Sequence, residues 1–435
     1  MPDVIIAGGG AAGLMAAIGA ARAGASVTLI EHNEKLGKKI YITGKGRCNL
    51  TNDCGVDEFL AQVPRNPRFL YSALTRFGPR DMMALLESAG CPVTVQRGRR
   101  VFPASEKASD VTRALASLLR GAGVKILLNT EISSLRFRDG QPPSAAPSGA
   151  CPQRPGRRVE GVMLADGSFL AADAVVLAMG GMSYPATGST GDGFRLAEEA
   201  GYTVIPPSPV LVGLETAEAW PRALQGLSLK NVSLSLQVGK KTVWQELGEM
   251  LFTHFGVSGP LVLEASCHLP EDLARASLTL DLKPGMTPEQ VDARLRRELL
   301  AGNRKQLSTV LPGLLPGKMA EAFSGICGVS AATACNQVSA AQRAALCGGL
   351  KALPLRISAP RPLAEAVVTR GGVSVKQVDP GTMGGKLHSN LFFAGEMLDV
   401  DAHTGGYNLQ IAWSTGLTAG QSAARAANIS SERTT

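Results

Sequence analysis

A chain of 435 residues, 45% hydrophobic and 18% charged, can bury more than one core, so two or three domains are expected. Its formal charge of +8 raises the question of a nucleic-acid partner, and two short basic runs stand out. Lys35, Lys38, Lys39, Lys45 and Arg47 form one and Arg97, Arg99 and Arg100 the other, with no interleaved aromatics and no recognisable nucleic-acid module, so a solvated basic face or a site for an anionic small molecule is favoured over nucleic acid.

Eight cysteines are scattered without a CxxC pair, which argues against a disulfide framework, a metal site and a dithiol reductase. Residues 4–21 carry no charge and match the length of a membrane span. A glycine cluster splits them into strand, turn and helix, and neither a basic leader nor a cleavage site precedes them. The expectation is a cytoplasmic protein with no membrane partner.

The first elements carry the strongest signal. Residues 4–7 read as a buried parallel strand, Gly8, Gly10 and Gly13 fill a GxGxxG fingerprint, and a helix follows over 14–23, with Ala12 at its mouth. Gly8 permits a tight turn, Gly10 lets a pyrophosphate approach the backbone, and Gly13 lets helix and strand pack closely. After a second strand over 26–30, Glu31 stands where a carboxylate accepts hydrogen bonds from an adenosine ribose. A dinucleotide is therefore expected here.

Residues 36–52 mix glycines with Thr, Arg, Asn and Cys, a composition suited to a loop that wraps a polar ligand. Lys39, Gly46, Arg47, Cys48 and Asn49 make a second wall of the cofactor site. Cys48 has two readings: an activated thiol beside Arg47, or a small packing residue. A helix is predicted over 69–90, a turn over 101–110, and an amphipathic helix over 111–121 capped by Ser109 or Asp110. A third strand of the first sheet is expected over 124–132. Glu131 and Ile132 are candidates for the adenine edge, where flavoproteins with two dinucleotide-binding domains hold that ring with backbone groups.

Residues 139–158 hold five prolines among Ser, Gly and Ala and read as a mobile loop. The apolar strand that follows ends at Ala178 and Gly180, bringing the sheet back beneath the cofactor; no second GxGxxG is present. From 206 the pattern changes. Alternating strands over 227–238, 241–245 and 277–282, then helices over 287–299, 318–325 and 340–350, suggest an inserted β-rich piece and a small helical piece. The loop expected over 248–260 contains His254, which either serves as an acid/base group or packs between Phe252 and Phe255. Finally, a strand ending in Gly395 and Glu396 places a carboxylate near a ribityl hydroxyl. Gly405 and Gly406 open a last helix, whose N–H groups near Asn408 and Leu409 face negative charge developing on a reduced flavin. Asp399 and Asp401 either cap the intervening turn or contact the cofactor.

Taken together, Gly8 to Gly13 with Glu31, the Thr43-Gly-Lys-Gly-Arg-Cys-Asn-Leu-Thr-Asn52 stretch, Leu251-Phe-Thr-His-Phe-Gly-Val-Ser-Gly-Pro260, and Gly395-Glu-Met-Leu-Asp-Val-Asp401 with Gly405-Gly-Tyr-Asn-Leu-Gln410 resemble the BaiN-like (YhiN-like) FAD-dependent oxidoreductases nearly end to end. The resemblance implies an α/β fold: a Rossmann-like FAD-binding domain over 1–205 and 356–435, an inserted β-barrel-like domain over 206–285, and a helical cap over 286–355. It places FAD contacts on Gly8, Gly10, Gly13, Glu31, Arg47, Gly395, Glu396, Asn408 and Leu409. It also implies either reduction of an enone such as a 3-oxo-bile acid, with NADH or NADPH as transient donor, or oxidation of a small amine by oxygen. A non-catalytic FAD-binding accessory protein is a further alternative. Tyr407, His254 and His403 are the candidate proton donors.

Overall fold

The computed structural model describes residues 1–138 and 158–431, so residues 139–157 of the expected Pro-rich loop lie outside the described residues. The chain divides into two compact units, Met1–Pro209 with Leu363–Thr435, and Val210–Pro362.

The first unit is built on a five-stranded parallel sheet in the order Leu391–Phe393, Ala174–Leu177, Asp3–Ala7, Ser26–Ile30, Lys125–Leu127. The three central strands are nearly unbroken apolar runs, as strands covered on both faces require, and Val4 pairs with Ala174 on one side and Val27 on the other. Helix Ala11–Arg22 packs closely against the C-terminal helix Tyr407–Ser431. Small residues make that approach possible. A Cβ on Gly416 would stand 2.2 Å from the Ala12 carbonyl oxygen, and one on Gly420 would stand 1.9 Å from that of Ala16.

Several elements differ from expectation for identifiable reasons. The single helix predicted over 69–90 is a 3-10 turn, Pro67–Leu70, and two helices, Tyr71–Arg76 and Pro79–Ser88. Pro79 has no N–H to continue the first helix and instead starts the second. The turn expected over 101–110 is shortened from both ends: Arg100–Pro103 is a strand that pairs with Val93–Gln96 and with Thr51–Asn52 in a separate three-stranded sheet, and the next helix already starts at Ala108. The strand predicted over 124–132 is split. Lys125–Leu127 joins the main sheet, Asn129 turns with φ 51°, and Ile132–Phe137 starts another sheet with Val159–Leu164 and Phe169–Ala171.

The second unit is a closed six-stranded barrel. Its strands run Leu214–Thr216, Gly256–Ser258, Lys241–Phe252, Ser228–Val238, Ala276–Asp281 and Leu353–Pro360 around the ring. Inward Leu234, Leu236, Leu278, Leu280 and Leu355 alternate with polar neighbours, the period-two pattern of a filled barrel. Helices Pro288–Gly302, Gly317–Ile326 and Ala340–Lys351 share this core through Leu295, Phe323 and Leu346. The loop expected over 248–260 is largely strand, because Lys241–Phe252 runs on to meet Gly256–Ser258. The strand closing the ring, Leu353–Pro360, straddles the boundary expected at 355. Among the described residues no helix is long and apolar enough to cross a membrane.

Candidate active site

The carboxyl ends of four parallel strands deliver the fingerprint residues to one edge of the sheet. Gly8 follows Ala7, Glu31 follows Ile30, Ala178 follows Leu177, and Gly395 stands two residues after Phe393. This is the edge at which open α/β sheets bind ligands. Gly8, at φ 101°, turns beneath Ala178, whose carbonyl oxygen would lie 2.5 Å from an added Cβ. At Gly13 an added Cβ would meet the Gly8 carbonyl oxygen at 1.8 Å, so the helix can approach the strand only through glycine. Gly10 is the opposite case. Nothing lies within 4 Å of where its Cβ would be, leaving open space before the first turn of Ala11–Arg22, where free helical N–H groups point.

Glu31 is buried, and its carboxylate accepts from the Gly9 N–H at 2.7 Å and from the Asn33 N–H and side-chain amide at 2.8 and 2.7 Å. Those bonds orient it: Oε1 is filled by its two bonds from Asn33, and Oε2, which accepts from Gly9 alone, keeps a lone-pair site for a ribose hydroxyl. Gly395, at φ 71°, comes within 2.7 Å of the Ala12 methyl by its virtual Cβ, drawing the last strand's end against the first helix's start.

Glu396 sits in a tight polar network. Its carboxylate accepts from Lys39 Nζ at 2.8 Å, the Ser183 hydroxyl at 3.0 Å and the Thr369 N–H at 2.7 Å, while Lys39 also donates to Ser183 at 2.6 Å. Burial opposes the charge on Glu396, but Lys39 and these donors outweigh it and hold the carboxyl below its ordinary pKa. Gly180, at φ 78°, turns the neighbouring strand end beside Ser189.

In the second wall, Gly44, Lys45 and Gly46 all have positive φ, which curls the chain and buries Cys48 completely. Burial raises the Cys48 thiol to about 12, so it is neutral and packed, not activated by Arg47. The Arg47 guanidinium lies 4.4 Å from the centroid of the Phe102 ring and pairs with Glu106 at 3.0 Å. Asn49, with its amide assigned to the orientation that satisfies both ends, accepts from the Gly406 N–H at 3.1 Å and donates to the Thr51 carbonyl at 3.2 Å.

This tie brings the second wall to the start of the last helix. An added Cβ on Gly406 would lie 2.4 Å from the Thr51 carbonyl oxygen. Asn408 turns its side chain back, accepting from the Ala402 N–H at 3.0 Å and donating to the Ala402 carbonyl at 2.7 Å, so it shapes the loop while its backbone stays in the helix's first turn with that of Leu409. The His403 N–H donates to the Gln62 carbonyl at 3.0 Å. Asp401 is fully buried and held in a two-pronged pair by Arg370 at 3.1 and 2.8 Å, and Asp399 pairs with Arg65 at 2.7 Å. Both carboxylates therefore brace the turn.

Beside this loop lies a cavity of about 420 Å³, lined by Arg47, Asn52, Gln62, Gln96, Arg97, Gly98, Arg100, Phe102, Thr404, Gly405 and Tyr407. Tyr407 packs edge-on to Phe59, with ring centroids 5.1 Å apart. Burial, then the nearby Cys54, push its hydroxyl up to about 12, so it stays a protonated donor at neutral pH. The sequence marked Arg97 and Arg100 only as basic, and gave no sign that Asn52, Gln62 and Phe102 join them. Their assembly depends on pairing between strands distant in sequence. Of the remaining candidates, the Glu131 carbonyl accepts from the Ala165 N–H at 2.9 Å, Ile132 is buried at the start of a strand, and His254 is an exposed residue of the second unit, 5.1 Å edge-on to Phe255.

The family model for the HI0933-like protein Rossmann domain matches residues 2–422. The chain belongs to this family. Its relatives include the 3-dehydro-bile acid delta(4,6)-reductase of Clostridium scindens, 31% identical over 98% of this chain and 99% of the relative. They also include the ribosomal RNA dihydrouridine synthase of Haemophilus influenzae, 31% identical over 94% of this chain and 96% of the relative. Among solved structures, a flavocytochrome c3 fumarate reductase matches at TM-score 0.52 and 16% identity, over 98% of this chain and 78% of the other, and shares the fold.

As a member of this family the protein is an FAD-dependent oxidoreductase. The residues present fit that group: the open space before Gly10 suits a pyrophosphate and the oriented Glu31 a ribose.

Proposed function

We propose that this protein reduces a carbon–carbon double bond conjugated to a carbonyl in a small-molecule enone of the 3-oxo-bile-acid or steroid type, with NADH or NADPH as electron source. The observation that carries the reading is the cavity itself. It adjoins the start of the last helix and offers hydrogen-bond donors and arginines but no carboxylate among its lining residues. A cationic amine, the substrate of the oxidase alternative, finds no countercharge there.

Gly8, Gly10, Gly13, Glu31 and the Lys39–Glu396 pair would hold FAD, which would supply reversible two-electron chemistry when bound. The chain's residues supply the rest. The N-terminal turn of Tyr407–Ser431 offers unpaired N–H groups and a positive dipole end to negative charge. The amides of Gln62 and Gln96 offer donors to a substrate carbonyl, polarising the conjugated bond, while both N–H bonds of Asn52 are spent on the Gly98 and Gly405 carbonyls. Tyr407, protonated at neutral pH, lines the same space and is positioned to give the proton.

A second reading has its own support. The uracil ring also carries a double bond conjugated to a carbonyl, and Arg47, Arg97 and Arg100 in the lining suit the phosphates of an RNA substrate. Incubating the purified protein with NADH or NADPH and either a 3-oxo-4-ene bile acid or a uridine-containing RNA tests both. The first reading expects the bile acid to gain two hydrogens in mass spectrometry. Gain in the RNA alone transfers the function to the second reading, and gain in neither contradicts both.

A further inference from the structure

We propose that Arg97 and Arg100 form an anion clamp at the cavity, holding a carboxylate or phosphodiester of the substrate away from its reacting double bond. The inference rests on the reductase reading and adds the residues that select the substrate. Five arginines lie in this part of the first unit, and they are not equivalent. Arg99 is neutralised by Glu58 at 2.6 Å, Arg80 pairs with Asp53 at 3.3 Å, and Arg47 pairs with Glu106 while stacked on Phe102. The side chains of Arg97 and Arg100 make no ion pair or hydrogen bond among the described residues, yet both residues line the cavity.

Their placement is built. Strands Val93–Gln96 and Arg100–Pro103 pair with Gln96 opposite Arg100, so Arg97 leaves the turn just before the strand that Arg100 begins. Gly98 at φ 74° and Arg99 at φ 57° make the tight turn between them, and Arg99 is drawn aside to Glu58. The turn is fixed to the active-site loop: the Asn52 amide donates to the Gly98 carbonyl at 3.0 Å and to the Gly405 carbonyl at 3.2 Å, and the Asp53 N–H donates to the Arg99 carbonyl at 2.8 Å. Two exposed guanidiniums without an ion pair, on a pinned turn and beside a cavity with no carboxylate among its lining residues, present positive charge to an anion that enters it. A purely solvating role would require neither the pinning nor the missing acids.

The test is equilibrium binding to the flavin-loaded protein, followed by the change in flavin absorbance. The probes are a 3-oxo-4-ene bile acid against its methyl ester, and a short oligouridylate against uridine. In the native protein at least one anionic probe should bind roughly tenfold or more tightly than its neutral partner, with the preference falling as salt rises. The double variant Arg97→Gln/Arg100→Gln should lose the preference while keeping flavin content and melting temperature, and Arg97→Lys/Arg100→Lys should restore part of it. The bile-acid and oligouridylate arms identify the source of the anion. If neither anion is preferred by the native protein, or the Gln variant keeps the preference, the clamp is wrong. Loss of preference in a protein that reduces neither compound would uphold the clamp and overturn the chemistry.

Discussion

The two units solve the packing problem in opposite ways. The barrel is filled by side chains: Phe252, Leu278, Leu280 and Phe323 are fully buried, and its interior is ordinary core. In the nucleotide-binding unit the decisive contacts are backbone to backbone, at Gly8, Gly13, Gly406, Gly416 and Gly420, where added Cβ atoms would lie between 1.8 and 2.5 Å from a carbonyl oxygen. A side-chain core tolerates loss of atoms at a graded cost. A backbone contact tolerates no added atom.

Gly13→Val should therefore have the largest effect, with no soluble flavin-loaded protein recovered. Gly10→Ala, into open space, should fold and retain part of its flavin, and equal outcomes for the two would break the contrast. Next in size, Phe252→Ala in the barrel should cost about 3–5 kcal/mol in denaturant unfolding. The folded fraction should still carry flavin at the native ratio, because that residue belongs to the other unit's core.

A smaller effect is expected at the Lys39–Glu396 pair. Lys39→Met should weaken flavin retention by about 1–3 kcal/mol, measured by ultrafiltration of the released cofactor. Glu396 titrates below its ordinary value in the folded protein, so its contribution is complete above the ordinary carboxylate range and is lost as pH falls through the folded value. Removing Lys39 raises that folded value, so flavin release on acidification should begin at higher pH in the variant. An unchanged acid limb would remove Lys39 from the network. Smallest of all, Cys48→Ala should cost about 1–2 kcal/mol in stability and leave turnover per bound flavin unchanged. Lost turnover at native stability would restore the reactive-thiol reading.

The sequence exposed the parts of this design that are local. The fingerprint, Glu31 and the paired glycines before Tyr407 each sit within one strand-turn-helix unit, where residue type dictates conformation. What it concealed depends on distance along the chain. Gly416 and Gly420 read as unremarkable helical residues until Ala12 and Ala16 are seen against them. Arg97 and Arg100 read as part of a basic run until strand pairing separates them from Arg99 and Asn52 ties their turn to Gly405. Asp401, named as a possible cofactor contact, proves to be Arg370's partner 31 residues away, a pairing no spacing rule announces.

The central claim, nicotinamide-driven reduction of a conjugated double bond, is met most directly by an anaerobic absorbance titration of the yellow protein. NADH or NADPH is added first and a 3-oxo-bile-acid enone second. The account predicts bleaching by a nicotinamide and stoichiometric return of the oxidised spectrum on adding the enone. Failure of both nicotinamides to bleach the flavin, with bleaching by aminoacetone instead, would contradict it and make the protein an amine oxidase.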